Sequence, residues 1–251
     1  TPQESDKLFE NITTMTKNGL SVIFISHKLR EVLAFSNRIA VLRHGRKVGE
    51  ISSKEANERK IARLMVGEET EISSRKKMKP GEAVLELDNL TISGSSKRES
   101  ISNVNLIVKK HEILGIAGIS GNGQTVLANA ISGLLKPSSG KIKLESEILI
   151  SNDPSNIIQA GVGRIPEDRH KDGIVGQMTV AENMILEDLS NKRIQSRGLL
   201  NREAIIQHCE DLSVKYDVRG PGANALARLL SGGNIQKLIL ARVFEAAPKL
   251  I

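Results

Sequence analysis

Two glycine-rich stretches carry residue types and spacings that could do chemistry. The first is Gly118-Ile119-Ser120-Gly121-Asn122-Gly123-Gln124-Thr125, continuing into Val126. It fits the phosphate-binding pattern Gly-x-x-x-x-Gly-Lys-Ser/Thr at every fixed position except one. Glycines there let successive backbone N–H groups turn inward around phosphate oxygens. A following helix adds the partial positive charge of its N-terminus. Thr125 stands where a hydroxyl would reach Mg²⁺. Gln124 stands where the lysine belongs, and a carboxamide donates hydrogen bonds to phosphate but brings no charge to a γ-phosphate. Taken alone, the stretch also fits an unliganded strand-to-helix turn. The second is Leu230-Ser231-Gly232-Gly233-Asn234-Ile235-Gln236-Lys237. Ser231 and the bare amides beside it form a second anion site. An ordinary helix rarely opens Ser-Gly-Gly, because glycine in a helix costs about 1 kcal/mol relative to alanine.

The elements that must hold these stretches are legible as alternating short strands and helices. Ile113–Ala117 reads as a buried strand leading into the first stretch, and a helix follows it. A last helix is expected from Gly232 to Ala246. Upstream, Val84–Leu87, Leu90–Ile92 and Val104–Val108 read as strands, with a polar turn at Gly94–Ser100. Helices are expected near Val180–Leu186 and Asn201–Val214. Residues 1 to about 70 read as a separate α/β piece. It holds an amphipathic helix over Gln3–Lys17, with Leu8, Ile12 and Met15 on its apolar side. A buried strand at Val22–Ile25 follows, then Ser26-His27, a helix from Lys28 to about Phe35, and a hairpin of Ile39–Leu42 with Lys47–Ile51. Ser52-Ser53 followed by Glu55 signals a capped helix running to Val66. Residues 71–82 lack an apolar period and read as a linker, leaving 83–251 as the second piece.

Composition narrows the function classes. The chain has 251 residues, enough to fold without disulfide staples, and its single cysteine, Cys209, excludes an internal disulfide framework. No apolar run reaches the roughly 18 residues of a membrane helix, and the N-terminus lacks a signal-peptide pattern, so a soluble chain in a reducing compartment is expected. A net charge of +7 invites a nucleic-acid reading, but aromatics are only 2%, which leaves almost no base-stacking platform. The basic run Arg75, Lys76, Lys77 and Lys79 precedes Pro80-Gly81 and reads as solvated linker. No nucleic-acid partner is expected. His44, His111, His170 and His208 have no metal-ligand spacing.

The octet Leu230–Lys237 closely resembles the signature motif of ABC-transporter ATPases, and it follows the first stretch by about 110 residues, as in that family. Other segments fall into the same register. Gly163-Arg164-Ile165-Pro166-Glu167-Asp168-Arg169 looks like the Q-loop, with Glu167 where most members have glutamine. Met178-Thr179-Val180-Ala181-Glu182-Asn183 resembles the start of the helical subdomain. Val22–His27 looks like the H-loop strand. The resemblance implies an α/β P-loop NTPase (ABC ATPase) fold. It gives ATP and Mg²⁺ as cofactors and makes His27 the catalytic switch histidine. Nucleotide would be held by Gly118–Val126, Glu167, Ser231, Gly232, Gly233, Asn234 and Gln236, and the metal by Thr125 and Glu167.

The order of these segments differs from that of one cassette, since the H-loop comes first. The chain resembles the end of one cassette (1–70) joined through 71–82 to the start of a second (83–251), ending at Pro248–Ile251 where the Walker B strand would begin. An incomplete fold is therefore expected. The first piece could dock onto the second as one circularly permuted cassette, with Val22–Ile25 joining the sheet of Ile113–Ala117. The alternatives are two separate pieces and a domain-swapped dimer. Without Walker B carboxylates this chain alone should turn over little ATP, whereas the parent is an ATPase.

Finer residues, including Gly121-Asn122-Gly123-Gln124, the signature Asn234, Pro166–Val175, Asp217–Gly222 and Ala227-Arg228, resemble the monosaccharide and nucleoside importers, closer to the nucleoside branch. The resemblance implies an ATP-binding subunit for nucleoside uptake. The same motor for ribose or another monosaccharide is the alternative. A non-hydrolytic nucleotide-binding and dimerisation module is a reading from another class. Implied partners are membrane-spanning permease subunits, an external solute-binding protein and a second cassette. The implied place is the cytoplasmic face of the cell membrane, as a peripheral protein.

Overall fold

The computed structural model describes residues 2–26, 28–43, 45–66, 78–96, 99–119, 121–149, 153–189, 191–196 and 198–251. The chain divides into two compact units, Thr1–Lys77 and Met78–Ile251. His27, Ser120 and linker residues 71–77 lie outside the described residues.

In the first unit, helices α1 (Pro2–Lys17) and α2 (Leu29–Phe35) precede a hairpin of β1 (Arg38–Arg43) and β2 (Arg46–Ser52), and α3 (Glu58–Val66) closes the order. The hairpin is antiparallel, with Arg38 opposite Ser52 and Ile39 opposite Ile51. Strand alternation sends Ile39 and Val41 to one face, where they bury against Ile61 of α3. The last helix starts later than Ser52-Ser53 suggested, because Asn57 Oδ1 accepts from the Lys60 N–H at 2.8 Å and sets the first turn there. Helix α1 is anchored differently from its apolar period. Leu8 and Met15 are exposed, while Phe9 is buried, stacked on Phe35 at 4.1 Å between ring centroids and edge-on to Phe24 at 5.3 Å.

The second unit is built on a four-stranded antiparallel sheet in the order β4-β3-β5-β6, from β3 (Ala83–Ile92), β4 (Ile101–Lys109), β5 (Ser139–Leu144) and β6 (Glu147–Ile148). The two expected runs Val84–Leu87 and Leu90–Ile92 fuse into β3. The register shifts between Leu87 and Leu90, where Asn89 adopts a positive φ. Helix α4 (Gln124–Ile131) lays Val126, Leu127 and Ala130 against Leu85, Leu87, Leu90 and Ile142 of this sheet. Helix α5 (Pro154–Ala160) adds Ile157 to a smaller cluster with Val84, Leu144 and Val162. A separate helical core joins α6 (Val180–Ile185), α7 (Arg202–Lys215) and α8 (Gly232–Glu245), with a short hairpin of β7 (Gln195–Ser196) and β8 (Leu199–Leu200) between α6 and α7.

Two expected strands do not form. Val22–Ile25 and Ile113–Ala117 lie outside any ladder among the described residues, and Ile23, Ile25 and Ile113 are 95%, 98% and 75% exposed. A buried parallel strand is stable only when neighbours satisfy its backbone and cover both faces, and strand propensity alone supplies neither. Neither run pairs with a strand of its own unit among the described residues. Among the described residues the one parallel contact is the isolated bridge of Val162 with Leu250, where the Gly163 N–H donates to the Leu250 carbonyl at 2.8 Å.

Candidate functional site

The described residues of the first glycine-rich stretch turn into α4. Gly121 and Gly123 both take positive φ, and Gly123 caps the helix in the left-handed conformation. The Asn122 N–H donates to the Ile119 carbonyl at 3.1 Å, and the Leu127 N–H to the Gly123 carbonyl at 2.9 Å. The Gln124 side chain folds back into the turn, where Nε2 donates to the same Ile119 carbonyl at 3.4 Å. A Cβ at Gly118 would collide with the Gln124 carboxamide, so the space that glycine leaves is filled from within the loop. Thr125 is exposed at the start of the helix. The Val126 side chain belongs to the core under the sheet, which leaves its backbone as the only part able to face a ligand.

The chain between Val162 and Gly176 touches α4 near its C-terminal end and α8 at its start. Arg164 Nη2 donates to Asn129 Oδ1 of α4 at 2.9 Å. Three residues on, Glu167 is exposed. Asp168 Oδ1 accepts from the N–H groups of His170 and Lys171, both at 3.0 Å, and these bonds hold its carboxyl below the usual range. Arg169 lies over Gly232, where any Cβ would strike its guanidinium. Gly173 is packed just as closely against Ile239 of α8.

Helix α8 starts at the second glycine-rich stretch because Leu230 is buried just before it, and Ile235, Leu238, Ile239, Arg242 and Val243 repeat along one buried face. Ser231 is the N-cap but makes no cap bond to its own helix. Its Oγ accepts instead from Asn234 Nδ2 at 3.0 Å, and Asn234 Oδ1 accepts from the Arg219 N–H at 2.8 Å. Gly232 and Gly233 present N–H groups with no hydrogen-bond partner among the described residues. Around Gly233 a Cβ would meet open space, so core packing does not demand that glycine. Gln236 is half-buried in the second turn. No hydrogen bond or ion pair joins this start to the Gln124 loop among the described residues.

Residue patterns alone did not single out the supporting side chains. Asp217 pairs with Arg219 Nε at 2.6 Å and with Lys237 Nζ, and Lys237 and then Arg219 hold its carboxyl below the usual range. Asn183, fully buried, donates through Nδ2 to the Val175 and Thr179 carbonyls and accepts from the Val175 N–H. Arg242 donates to the carbonyls of Asn183 at 3.1 Å and Gly173 at 3.0 Å. Its Nε lies 2.9 Å from Glu187 Oε1 as a charge pair, without an aligned hydrogen bond. For Asn183 and Arg242 the advance signal was polarity at positions where a helical period expects apolar residues.

The donor set at α8 fits an anion: a serine hydroxyl and two bare amides at the positive end of a helix. At the Gln124 loop, a phosphate needs the carboxamide to swing out of the cradle. Among the described residues no three His, Cys, Asp or Glu side chains come together to hold a metal. A Mg²⁺ at Thr125 and Glu167 would therefore share its coordination with phosphate oxygens and water, the usual habit of this ion.

Comparison with known proteins follows the same lines. A family model described as ABC transporter matches residues 101–251. The chain is 39% identical over its whole length to the nucleoside import ATP-binding protein NupA of Lactococcus lactis, covering 50% of that protein. It is 40% identical over its whole length to the glucose import ATP-binding protein TsgD13 of Haloferax volcanii, covering 46% of it. It is 36% identical to the guanosine import ATP-binding protein NupO of Bacillus subtilis, covering 49% of it. The chain thus spans about half the length of the curated relatives it matches. Among solved structures, a dimeric bacterial ABC transporter cassette, MJ0796, superposes with a TM-score of 0.52 at 24% identity, over 65% of this chain and 70% of that one, which shows the shared fold.

Proposed function

Because the chain belongs to the ABC transporter family, we propose that it is part of the ATP-binding subunit of an importer whose solute is a nucleoside. The observation that carries the nucleotide part is the start of α8, where Ser231 makes no cap bond to its own helix and the amides of Gly232 and Gly233 have no partner among the described residues. An N-cap serine ordinarily accepts a first-turn N–H, and forgoing that bond costs about 1 kcal/mol. Free donors at a helix N-terminus suit the terminal phosphate of ATP. In this reading Ser231 and the two glycine amides stabilise phosphate charge, and Asn234 and Gln236 line the same turn. The loop Gly118–Thr125 faces a second nucleotide, and His27 acts as the switch histidine beside the γ-phosphate. Bound Mg²⁺ supplies charge neutralisation at the phosphates, with Thr125 and Glu167 as its protein contacts.

Membrane-spanning permease subunits, an external solute-binding protein and a second cassette complete the proposed assembly, with the ATP-binding subunit peripheral on the cytoplasmic face. No helix among the described residues is long and apolar enough to cross a membrane. The nucleoside assignment rests on relatives named for nucleosides and guanosine. Ribose or another monosaccharide is the competing solute, supported by similar proteins named for glucose and ribose. Uptake of radiolabelled guanosine and ribose by cells lacking the parent gene discriminates them. Loss of ribose uptake alone overturns the nucleoside reading.

A second reading concerns the Gln124 loop, which binds nucleotide without supporting hydrolysis. Gln124 supplies no positive charge and lies folded into the turn. Calorimetry with MgATP on the wild type, Gln124→Lys and Ser231→Ala tests both readings. An absence of MgATP binding in all three rejects nucleotide binding altogether.

A further inference from the structure

We infer that Asn234 is a positioning residue that turns the Ser231 hydroxyl proton outward, toward a terminal phosphoryl oxygen. The inference rests on the nucleotide reading above and adds a residue that acts through the serine.

The orientation of the Asn234 carboxamide is fixed by its neighbours. The Arg219 backbone N–H lies 2.8 Å from one end, and only an oxygen can accept there. The other end, 3.0 Å from Ser231 Oγ, is therefore the NH₂ group. Ser231 must then act as acceptor toward Asn234, and its own proton cannot be spent on that bond. Ser231 makes no bond to its first-turn amides either, and it is exposed. A hydroxyl that accepts on its inner side keeps its donor for the solvent side, and the neighbouring Gly232 and Gly233 amides have no partner among the described residues. The result is three donors and no competing inward bond, the arrangement an anionic oxygen requires.

The brace reaches further back. Asp217 pairs with Lys237, one turn into α8, and with Arg219, so the backbone carrying the Arg219 N–H is tied to the helix it serves. Lys237 Nζ also donates to the Asp217 carbonyl at 2.9 Å. Asp217 itself adopts φ 53°, a left-handed conformation that aspartate tolerates better than most residues, just after the C-cap of α7. Asp217, Arg219, Asn234 and Ser231 thus form a chain of contacts ending on the hydroxyl.

A double-mutant cycle on the 251-residue chain tests this. The amide resonances of Gly232 and Gly233 are followed by NMR while MgATP is added, and inorganic phosphate in a parallel series. Asn234→Ala and the near-isosteric Asn234→Leu should each weaken binding about tenfold when Ser231 is present, the size of one lost hydrogen bond to a charged group. In the Ser231→Ala background the same substitutions should change binding less than about twofold. A general loosening of α8 acts equally in both backgrounds and cancels in the cycle. Equal losses in the two backgrounds, or no loss in either, overturn the positioning role and leave the nucleotide reading standing. If neither MgATP nor phosphate shifts the two amides in the wild type, both fall together.

Discussion

Arg242 Nη1 donates to the backbone carbonyl of Asn183 at 3.1 Å, a single bond that crosses from α8 to α6. Through Nη2 the same guanidinium holds the Gly173 carbonyl, and Asn183 in turn holds both the N–H and the carbonyl of Val175. The stretch after Glu167 is therefore tied to α8 by two buried polar side chains. Burial pulls the Arg242 pKa down, the nearby Glu187 carboxylate pushes it back up, and an arginine so placed stays charged. Replacing Arg242 with methionine keeps much of the stem but strands two carbonyls and Glu187. We expect Arg242→Met to lower the stability of the second unit by about 2–4 kcal/mol. The chain has no tryptophan, so urea unfolding followed by circular dichroism is the suitable measurement. A loss below about 0.5 kcal/mol, the size of an ordinary surface change, contradicts the clamp.

At the Gln124 loop, charge is the missing ingredient. Gln124→Lys should tighten MgATP binding about tenfold, since a hydrogen bond made by a charged donor is roughly twice as strong as a neutral one. Calorimetry on the two proteins reads this directly. Equal affinities mean that the carboxamide already does what lysine would do.

Glu182 and Thr179 form a reciprocal cap at the start of α6. The Thr179 N–H, followed by its hydroxyl, keeps the Glu182 carboxyl below the ordinary carboxylate range. A lowered folded-state pKa stabilises fully above the unfolded value of about 4.3, and the contribution is lost as pH falls through the folded value. Glu182→Gln should therefore be less stable than wild type at pH 7, with the gap closing in acid. Urea unfolding at several pH values checks this. A gap that widens below pH 4 reverses the sign and rejects the argument.

Cys209 is buried in the helical core, and burial raises its thiol pKa. The thiolate is the reactive form, so a thiol reagent should label the native chain slowly and the urea-unfolded chain fast. Comparable rates in the two states would contradict its burial.

The bare runs Val22–Ile25 and Ile113–Ala117 make a prediction about surface chemistry. Ile23, Ile25, Ile113 and Ile116 expose apolar area that usually draws other apolar groups. Replacing Ile25 and Ile116 with lysine should reduce binding of a hydrophobic dye and raise solubility, with little effect on the melting temperature. A large drop in that temperature would mean that these side chains are buried.

Much of the architecture is written locally. The start of α6 is legible in Thr179 and Glu182, because a capping box needs only residues three apart. The start of α8 is legible in Leu230-Ser231, because the apolar repeat that follows has the period of a helix. The Gly118–Thr125 and Ser231–Gly233 stretches are legible as candidate phosphate turns, since binding a phosphate with backbone amides requires glycine at set spacings. None of this needs the rest of the chain.

Where an outcome depends on a distant partner, the amino-acid order is silent. Apolar β-branched residues made strands of Val22–Ile25 and Ile113–Ala117 on paper, yet a strand exists only through the neighbours that take its hydrogen bonds, and the fold decided whether it had them. Gly232 looked like part of a phosphate turn, and only packing revealed Arg169 lying across it. The path from Asp217 through Arg219 and Asn234 to Ser231 spans residues that no local period connects. By itself the sequence determined which groups could meet an anion and where their helices begin. Tertiary structure decided which side chains aim those groups, because aiming is a contact between segments far apart in the chain.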